Sequence, residues 1–453
     1  MEKNQDSHFS TTKMLSIIFD SDVLKNFSDS NGSRAGIYFC AFELLKQFYK
    51  NPEIKLYLYV DTKVFIEKHL DVFVREYVPN VQILNEHLSF KEWAKRTLKK
   101  RDALFSKKGV FAVLHRKFLS WLVRNAIRFC GYMPLDRKFS DLCRNSSAVY
   151  FTVTGPAPKV FKKRKFKAIK KFFVLHDAIP KILSGEENYN RKKDWWDYVF
   201  DELNSRDFYF ANSNCTRNDF LRFAPAIRPD HIFTIPLAAA ERFGGGMGKN
   251  IPLAASGSCA MEKIFDKYHI PHGNGEKYIF SLCSLIPRKN LVRAIRCFNL
   301  FIEKNHIENM YFVLGGGALE KDFFAEMTAS SSMKNRVIVT GYMDDDDIPF
   351  LYKNAQWFVY TSRYEGFGIP PLEAMMSGCP VVVSNSSSLP EVVGDAGIQV
   401  SWDSDDEHVA AFEKMYYDED FRKKCAEKGL ERARLFSWEK TAKKMVEKMM
   451  ENI

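Results

Sequence analysis

The chain has 453 residues, a formal net charge of +11, 46% hydrophobic residues and 27% charged residues. This length favours two domains, and the composition excludes a disordered or fibrous chain. The sequence contains no run of about 18 apolar residues that could span a bilayer, and its first apolar run, residues 14–19, is too short for the usual secretory signal peptide. Nine scattered cysteines fit a reducing cytoplasm and predict no zinc site.

The predicted elements alternate between short apolar runs and longer amphipathic stretches, which is the pattern of a doubly wound α/β architecture. The predicted strands are 15–19, 55–60, 172–175, 208–211, 278–282, 311–314, 337–340, 357–360 and 381–384. The predicted helices between them include 36–48, 291–304 and 406–417. Open α/β sheets bind ligands at the carboxyl ends of their strands, so we expect the site there.

A stretch rich in Gly, Ser, Asn and Pro near residues 240–275 divides the chain. We predict an N-terminal Rossmann-like domain at 1–240, a linker at 241–272 and a C-terminal Rossmann-like domain at 273–436. The remaining segment, 437–453, is predicted to be a helix that crosses back to the N-terminal domain.

Much of the positive charge lies in residues 91–138, where 14 Lys and Arg residues accompany only three acidic residues. The helical pattern of residues 116–129 places aromatic and apolar side chains on one face and basic side chains on the other, as in helices that lie on anionic membranes. The predicted membrane contacts are Lys117, Phe118, Trp121, Arg124 and Arg128. An ordinary core helix with a solvated basic face is the alternative. Nucleic-acid binding is not expected, because no recognised module accompanies the charge.

The most informative region runs from Thr361 to Ala374, where an apolar strand is followed by a glycine-containing turn and then by two prolines that open a helix. Gly366 and Gly368 allow backbone N–H groups to approach a ligand closely. The following helix N-terminus favours a diphosphate. We place Glu373 in the first turn of that helix, where its carboxylate is suited to accept hydrogen bonds from the two hydroxyls of a ribose. Glu365, inside the loop, is suited to accept hydrogen bonds from the hydroxyls of a sugar.

Residues 364–382 closely resemble the Glu-x(seven)-Glu signature of glycosyltransferase family 4, with Glu365 and Glu373 as its two acids. Other C-terminal segments are similar to that family: 287–291 to its diphosphate-binding segment, 339–343 to its nucleobase-side turn, and 388–397 to the stretch after its donor helix. The resemblance implies a GT-B fold, in which two Rossmann-like doubly wound domains face a cleft. In this chain the basic helical insertion would belong to the N-terminal domain.

The N-terminal half carries weaker resemblances to the same family. Residues 33–38 resemble the glycine loop that faces the donor phosphates, 175–180 the His-Asp segment near the reacting sugar, and 212–217 a Ser-x-x-Ser/Thr-Arg segment. Taken alone, His176 would more simply be a structural histidine at a strand end. The resemblance instead implies that it lies at the reaction centre.

The resemblance implies the following assignments. The catalytic residues would be His176, Lys289 and Glu365, and the donor-binding residues Gly36, Arg288, Lys289, Gly341, Tyr342, Glu365, Gly366, Phe367, Gly368, Ile369 and Glu373. Some family members have an arginine six residues before the diphosphate lysine. Cys283 stands there in this chain, so the donor's negative charge would rest more on Lys289 and Arg288.

The reaction implied by the resemblance retains the anomeric configuration and uses no agreed protein nucleophile; the leaving diphosphate helps to deprotonate the acceptor hydroxyl. Neither a metal nor another cofactor is expected. The acidic run Asp344–Asp347 invites comparison with a metal-binding Asp-x-Asp motif, but it precedes an apolar helix and is better interpreted as a solvated helix cap.

We therefore predict a retaining hexosyltransferase of surface polysaccharide assembly. Its donor would be a nucleoside-diphosphate sugar, with GDP-mannose favoured over UDP-sugars, and its acceptor a glycan or a lipid-linked glycan. The predicted location is the cytoplasm, peripherally on the inner face of the cell membrane. Two alternatives stay open: a GT-B epimerase or hydrolase that uses the same donor pocket, and a non-catalytic scaffold that binds a membrane or a partner.

Overall fold

The structure is a computed structural model. It describes residues 14–26, 36–59, 74–84, 142, 147–155, 157, 168–184, 195–244, 258–317 and 334–453. The predicted basic insertion at 91–138, with its membrane contacts Lys117, Phe118, Trp121, Arg124 and Arg128, lies outside the described residues and stays a prediction.

Contacts between residues divide the chain into two compact units. The first comprises Met1–Leu175, Asp197–Phe210 and Ala442–Ile453, and the second comprises His176–Trp196 and Ala211–Thr441. The domain boundaries predicted from composition, at 240 and 273, stay a prediction. Within the predicted linker, the structure shows a helix at Ser258–Lys267.

The first sheet has seven strands in the order β3-β2-β1-β4-β5-β6-β7. Its strands are β1 (Leu15–Asp20), β2 (Ile54–Tyr59), β3 (Gln82–Ile83), β4 (Ala148–Thr152), β5 (Lys170–Leu175), β6 (Phe208–Ala211) and β7 (Ile232–Thr234). The β1–β2, β2–β3, β1–β4 and β4–β5 pairs are parallel. The two central strands β1 and β4 are buried along their whole length, as near-continuous apolar strands covered on both faces should be.

The second sheet has six strands in the order β10-β9-β8-β11-β12-β13. Its strands are β8 (Lys277–Leu282), β9 (Met310–Gly315), β10 (Val337–Gly341), β11 (Phe358–Tyr360), β12 (Val381–Ser384) and β13 (Ile398–Val400). All five pairs of neighbouring strands are parallel. The order reverses direction between β8 and β11, which is the kind of switch point at which open α/β sheets bind ligands.

The described helices that surround the sheets are α1 (Gly36–Lys50), α2 (Ile179–Ile182), α3 (Trp195–Glu202), α4 (Asn214–Phe223), α5 (Ser258–Lys267), α6 (Leu291–Lys304), α7 (Ile348–Asn354), α8 (Ile369–Met376), α9 (Leu389–Val393), α10 (Asp405–Tyr417), α11 (Glu419–Ala433) and α12 (Trp438–Glu451). One face of α6 packs into the core of the second sheet, with Phe298 and Phe301 completely buried. None of the described helices combines the length and the apolar character needed to cross a bilayer.

Every strand predicted from the sequence is present, with ends shifted by at most two residues. Four strands were missed: β3, β4, β7 and β13. Three of these have only two or three residues, too few to show a hydrophobic period. The fourth, Ala148–Thr152, is a central strand whose short apolar run lies between the turn residues 145–147 and 154–156, and the prediction overlooked this signal.

Candidate functional site

The loop that joins β11 to α8, residues 361–368, is called the donor loop, after the role predicted for it from the sequence. It leaves the carboxyl end of β11 and enters α8 with Pro370 and Pro371 in the first turn. Gly368 has a φ of +115°, and a Cβ at this position would lie 2.7 Å from the Leu389 side chain. A residue other than glycine is therefore strained here in both backbone and packing.

A buried charge cluster lies against the donor loop. Lys289 Nζ is 2.6 Å from Glu365 Oε1, and Arg288 Nη1 is 2.9 Å from the same oxygen. Both cations lie in the short turn Pro287–Lys289 that follows β8, the neighbour of β11 in the sheet. Lys289 and Glu365 are 76 positions apart in the sequence, and the structure brings them into contact in one site.

The two cations determine the ionisation of Glu365. Burial raises the pKa of this carboxyl, but the charges of Lys289 and Arg288 outweigh burial and lower the pKa to about 2. Glu365 is therefore an anion at neutral pH. One carboxylate shared by two cations leaves the cluster with a net positive charge, which suits a ligand that carries further negative charge.

Tyr360, at the end of β11, is a member of this cluster that the sequence did not reveal. Lys289 Nζ donates a hydrogen bond of 2.6 Å to the Tyr360 hydroxyl. Burial raises the pKa of this phenol well above its ordinary value, so the hydroxyl stays neutral. Cys283, at the position where some relatives have an arginine, is likewise held as a neutral thiol, because burial raises its pKa to about 11.

The segment after β5 packs against the donor loop within the second unit. A Cβ added to Gly366 would lie 2.1 Å from the His176 carbonyl oxygen and 2.8 Å from the Asp177 side chain. Burial raises the pKa of Asp177, while His176 and Arg288 lower it and Glu365 raises it further. His176 and Asp177 therefore lie in the same electrostatic environment as the charge cluster.

Glu373 lies in the second turn of α8, so its predicted place in the first turn is wrong by one turn. The helix begins at Ile369 rather than nearer the second proline, which shifts Glu373 away from the N-terminus. Its carboxylate accepts a hydrogen bond of 3.2 Å from the Tyr352 hydroxyl. Burial raises the pKa of Glu373 to about 7, although the charge of Arg242 and the Tyr352 hydrogen bond oppose this shift.

The turn at the end of β10, residues 341–345, is called the nucleoside turn, after its predicted place beside the nucleobase. Gly341 has a φ of +74° and ends the strand, and Tyr342 follows it with 71% of its surface exposed. Arg242 Nη1 donates a hydrogen bond of 3.4 Å to Asp345 Oδ2. The charge of Arg242 lowers the pKa of Glu373, and the charge of Asp345 raises it. The two ends of the predicted donor site are thus built differently, one buried and one open.

The acidic run Asp344–Asp347 was predicted to be a solvated helix cap, and the structure bears this out only for the position of its last residue. Asp347 occupies the N-cap position of α7, but its side chain makes no cap hydrogen bond. Instead, Lys267 pairs with Asp344 at 2.6 Å and with Asp347 at 2.5 Å, and Tyr268 donates to Asp347. Among the described residues, no group of three or more His, Cys, Asp or Glu side chains has the arrangement of a metal site.

The remaining predicted residues have clear places. Phe367 is buried, and its ring centroid lies 6.0 Å from that of Phe436. Ile369 is half-buried at the start of α8. Gly36 is the exposed first residue of α1 in the first unit. The residues missed by sequence reasoning, Tyr352, Tyr360 and Arg242, stand outside the glycine- and acid-containing motif and gave no local signal. Asp345 lies in the acidic run that the sequence did single out, but with a different role.

Residues 262–432 match the sequence model of the family described as "Glycosyl transferases group 1". Among curated proteins, the O-antigen chain mannosyltransferase B of Escherichia coli is 31% identical over 53% of this chain and 60% of its own length. The serotype-specific mannosyltransferase WbdA of Escherichia coli is 29% identical over 66% of this chain and 34% of its own length. The chain therefore spans less than two thirds of the curated relatives it matches.

Among solved structures, HepE of Anabaena in complex with UDP and glucose is similar to this chain, with a TM-score of 0.61 and 17% identity. The similarity covers 96% of this chain and 100% of that protein. At this identity the likeness shows the fold alone. The predicted fold, GT-B with two Rossmann-like parallel-sheet domains, is confirmed, and so is the resemblance to glycosyltransferase family 4 in the C-terminal half.

Proposed function

We propose that this protein is a retaining hexosyltransferase that uses a nucleoside-diphosphate sugar. The match of residues 262–432 to the group 1 glycosyl transferases supports this proposal. The observation that carries the proposal is the buried cluster of Lys289, Arg288 and Glu365 at the carboxyl end of β11. Two cations for one carboxylate, beside a glycine-containing loop and a helix N-terminus, form an environment for a diphosphate.

In the proposed reaction, Lys289 and Arg288 stabilise the charge that develops on the leaving diphosphate. Such preorganised charge contributes most in a buried site, where water does not screen it. Glu365 orients the hydroxyls of the transferred sugar, and His176 lies beside the reacting carbon. The leaving diphosphate itself helps to take the proton of the acceptor hydroxyl, so this mechanism needs no protein nucleophile and no metal.

We further propose that the transferred sugar is a mannose-like hexose, that GDP-sugars are preferred over UDP-sugars, and that the acceptor is a glycan or a lipid-linked glycan of surface polysaccharide assembly. Two relatives named as mannosyltransferases, one of them of the O-antigen chain, support the sugar and the pathway. The nucleoside would bind between Tyr342 and Glu373, with the ribose hydroxyls on the Glu373 carboxylate.

The test is turnover of candidate donors by the purified full-length protein. GDP-mannose and UDP-glucose are each incubated with and without lipid-linked glycan acceptors, and nucleoside diphosphate and glycosylated products are quantified. Release of GDP that depends on an acceptor, with retained configuration in the product, is expected. A free epimer or a free sugar formed equally well without acceptor would support an epimerase or hydrolase and overturn the proposal.

A lipid-linked acceptor makes peripheral attachment to the inner face of the cell membrane part of the proposal. Residues 91–138 would supply it through their excess of basic residues. Each basic residue close to an anionic surface contributes about 1 kcal/mol, so several suffice for reversible binding. The protein is expected to sediment with anionic liposomes and to be released by high salt. Equal binding to neutral liposomes would contradict the electrostatic interaction.

A further inference from the structure

The backbone carbonyl of Gly366, in the middle of the donor loop, accepts two side-chain hydrogen bonds from one helix turn. Ser213 Oγ donates to it at 2.8 Å and Thr216 Oγ1 at 3.0 Å. Both side chains are 1% exposed, so water does not compete for the carbonyl. Two donors satisfy both lone pairs of the carbonyl oxygen and fix the direction of the C=O bond.

The helix turn that supplies these hydroxyls is itself anchored by a carboxylate from another element. Glu391 of α9 accepts hydrogen bonds from the backbone N–H groups of Asn214 and Cys215, both at 2.8 Å. Ser213 caps the same turn by accepting from the Thr216 N–H at 3.0 Å. The free N–H groups of this helix end are thus occupied by the protein's own acceptors, and the turn is a fixed support.

Two more contacts hold the donor loop in the same place. The Tyr364 hydroxyl donates to Asp219 Oδ2 of α4 at 2.6 Å. On the other side, Ser388 Oγ lies 3.0 Å from the Glu365 carbonyl oxygen and 2.7 Å from that of Phe367. Since Gly366 already lies against the His176 backbone, the loop has no room to shift toward that side.

The peptide bond between Gly366 and Phe367 is trans, since none of the described peptide bonds is cis. In a planar trans peptide the C=O and N–H bonds point in opposite directions. With the Gly366 carbonyl directed at the first turn of α4, the Phe367 N–H is directed away from it. The two hydroxyls on the carbonyl therefore determine where this backbone donor points.

We propose that Ser213, Thr216 and Glu391 are positioning residues that aim the Phe367 N–H at the diphosphate of the donor. The inference rests on the proposed function, because the ligand is the diphosphate of a nucleotide sugar. Ser213, Thr216 and Glu391 then share one role: they affect binding through the backbone of the donor loop and do not contact the ligand themselves.

The test compares Thr216→Val with Thr216→Ser in the full-length protein, by calorimetric titration with GDP, UDP and the corresponding monophosphates. Valine has the shape of threonine without the hydroxyl, so the Gly366 carbonyl loses one donor. We expect the diphosphate to bind about tenfold more weakly to Thr216→Val, the size typical of one buried hydrogen bond. The monophosphate should change by less than about threefold, and Thr216→Ser should bind like the wild type.

The matched control is Thr441→Val. The Thr216 hydroxyl lies within hydrogen-bond distance of two backbone carbonyls, that of Gly366 at 3.0 Å and that of His176 at 3.4 Å. Thr441 is 3% exposed, and its hydroxyl likewise donates to two backbone carbonyls, of Pro236 and Ser437, away from the donor loop. This variant should lose stability but keep the nucleotide affinity of the wild type. If it weakens diphosphate binding as much as Thr216→Val does, the effect is a general one and the positioning role is overturned.

Should Thr216→Val fail to fold, Glu391→Gln replaces it, because glutamine keeps the size and one of the two acceptors. A loss of about threefold in diphosphate affinity is expected for this variant. Diphosphate binding equal to the wild type, in whichever variant folds, overturns this inference and leaves the proposed function standing. A wild type that binds neither GDP nor UDP overturns the proposed function itself.

Discussion

The donor loop and the nucleoside turn follow two strands of the same sheet, yet they are built in opposite ways. The donor loop is buried and fixed by ion pairs and by hydroxyls from two helices. The nucleoside turn has an exposed aromatic residue, Tyr342, and a glycine, Gly341, at which an added Cβ would meet no atom of the described part of the chain within 4 Å. Under the proposed function, this contrast means that the phosphate side of the donor site is formed before the ligand binds, whereas the base side is adaptable.

This difference has a physical reason. A diphosphate carries concentrated charge, and preorganised charges and donors are effective only when they are buried and immobile. A nucleobase is recognised by stacking and by a few hydrogen bonds, which an exposed turn provides without a desolvation cost.

Lys289→Ala should have the largest effect. Glu365 then keeps only Arg288 as a cationic partner, and the donor diphosphate loses a buried charge. We expect turnover to fall at least about tenfold and the free energy of unfolding to fall by about 3 kcal/mol. Steady-state kinetics and denaturant unfolding measure the two effects.

The control for this variant is Lys267→Ala, which removes a lysine paired with Asp344 and Asp347 near the nucleoside turn. Lys267 is 45% exposed, so its loss should cost no more than about 1 kcal/mol. Its turnover should match the wild type. An unchanged turnover in Lys289→Ala would refute the role of Lys289 in donor binding and catalysis.

Alanine substitutions at Gly366 and Gly341 compare the donor loop and the nucleoside turn directly. In Gly366→Ala the new Cβ meets the His176 backbone at 2.1 Å, and backbone atoms cannot move aside, so we expect a loss of about 3 kcal/mol. In Gly341→Ala no atom of the described residues lies within 4 Å of the new Cβ, so the strain comes from the positive φ, which costs about 1 kcal/mol. Denaturant unfolding measures both, and equal losses would contradict the contrast between the two regions.

Nucleotide binding should depend on pH through Glu373. Its pKa of about 7 means that the carboxylate needed by the ribose hydroxyls forms only as the pH rises past neutrality. We expect nucleotide affinity to rise by up to about tenfold between about pH 6 and pH 8, and Glu373→Gln to lack this rise. Calorimetric titration across this range measures it.

The same shift has an opposite effect on stability. Because the folded state binds this proton more tightly than the unfolded state, Glu373 destabilises the fold progressively as the pH rises from 4.5 to about 7. Glu365 behaves in the other way: its pKa of about 2 adds stability above pH 4.5, which is lost as the pH falls toward 2. The free energy of unfolding of the wild type and of Glu373→Gln is measured against pH. If the two have the same pH dependence, Glu373 has an ordinary pKa and this prediction is wrong.

The smallest effect is expected for Tyr342→Ala. Since 71% of Tyr342 is exposed, its removal should change the free energy of unfolding by less than about 0.5 kcal/mol. Nucleotide affinity should fall only about threefold, because one exposed stacking contact is lost. A loss as large as that of Lys289→Ala would mean that the base side, too, is prepared in advance.

Sequence patterning predicted the parallel sheets because buried parallel strands are long apolar runs that need no tertiary information. The local pattern of glycines and prolines also singled out Glu365 and Glu373, whereas Lys289 was assigned only through the resemblance of residues 287–291 to glycosyltransferase family 4. The partners Tyr360, Arg242 and Glu391 could not be found in this way, because their roles arise from contacts made when distant elements pack. Asp344–Asp347 was misjudged for the same reason: its cationic partner, Lys267, lies 77 positions away from Asp344.

Under the proposed function, the second unit binds a nucleoside diphosphate at a phosphate site that is formed before the ligand arrives. The most direct measurement is the melting temperature of the full-length protein with GDP, UDP, ADP and NAD, with Glu373→Ala as the comparison variant. We predict selective stabilisation by one nucleoside diphosphate, GDP before UDP, that is lost in Glu373→Ala. No stabilisation by any of these nucleotides would contradict the claim and favour a non-catalytic scaffold.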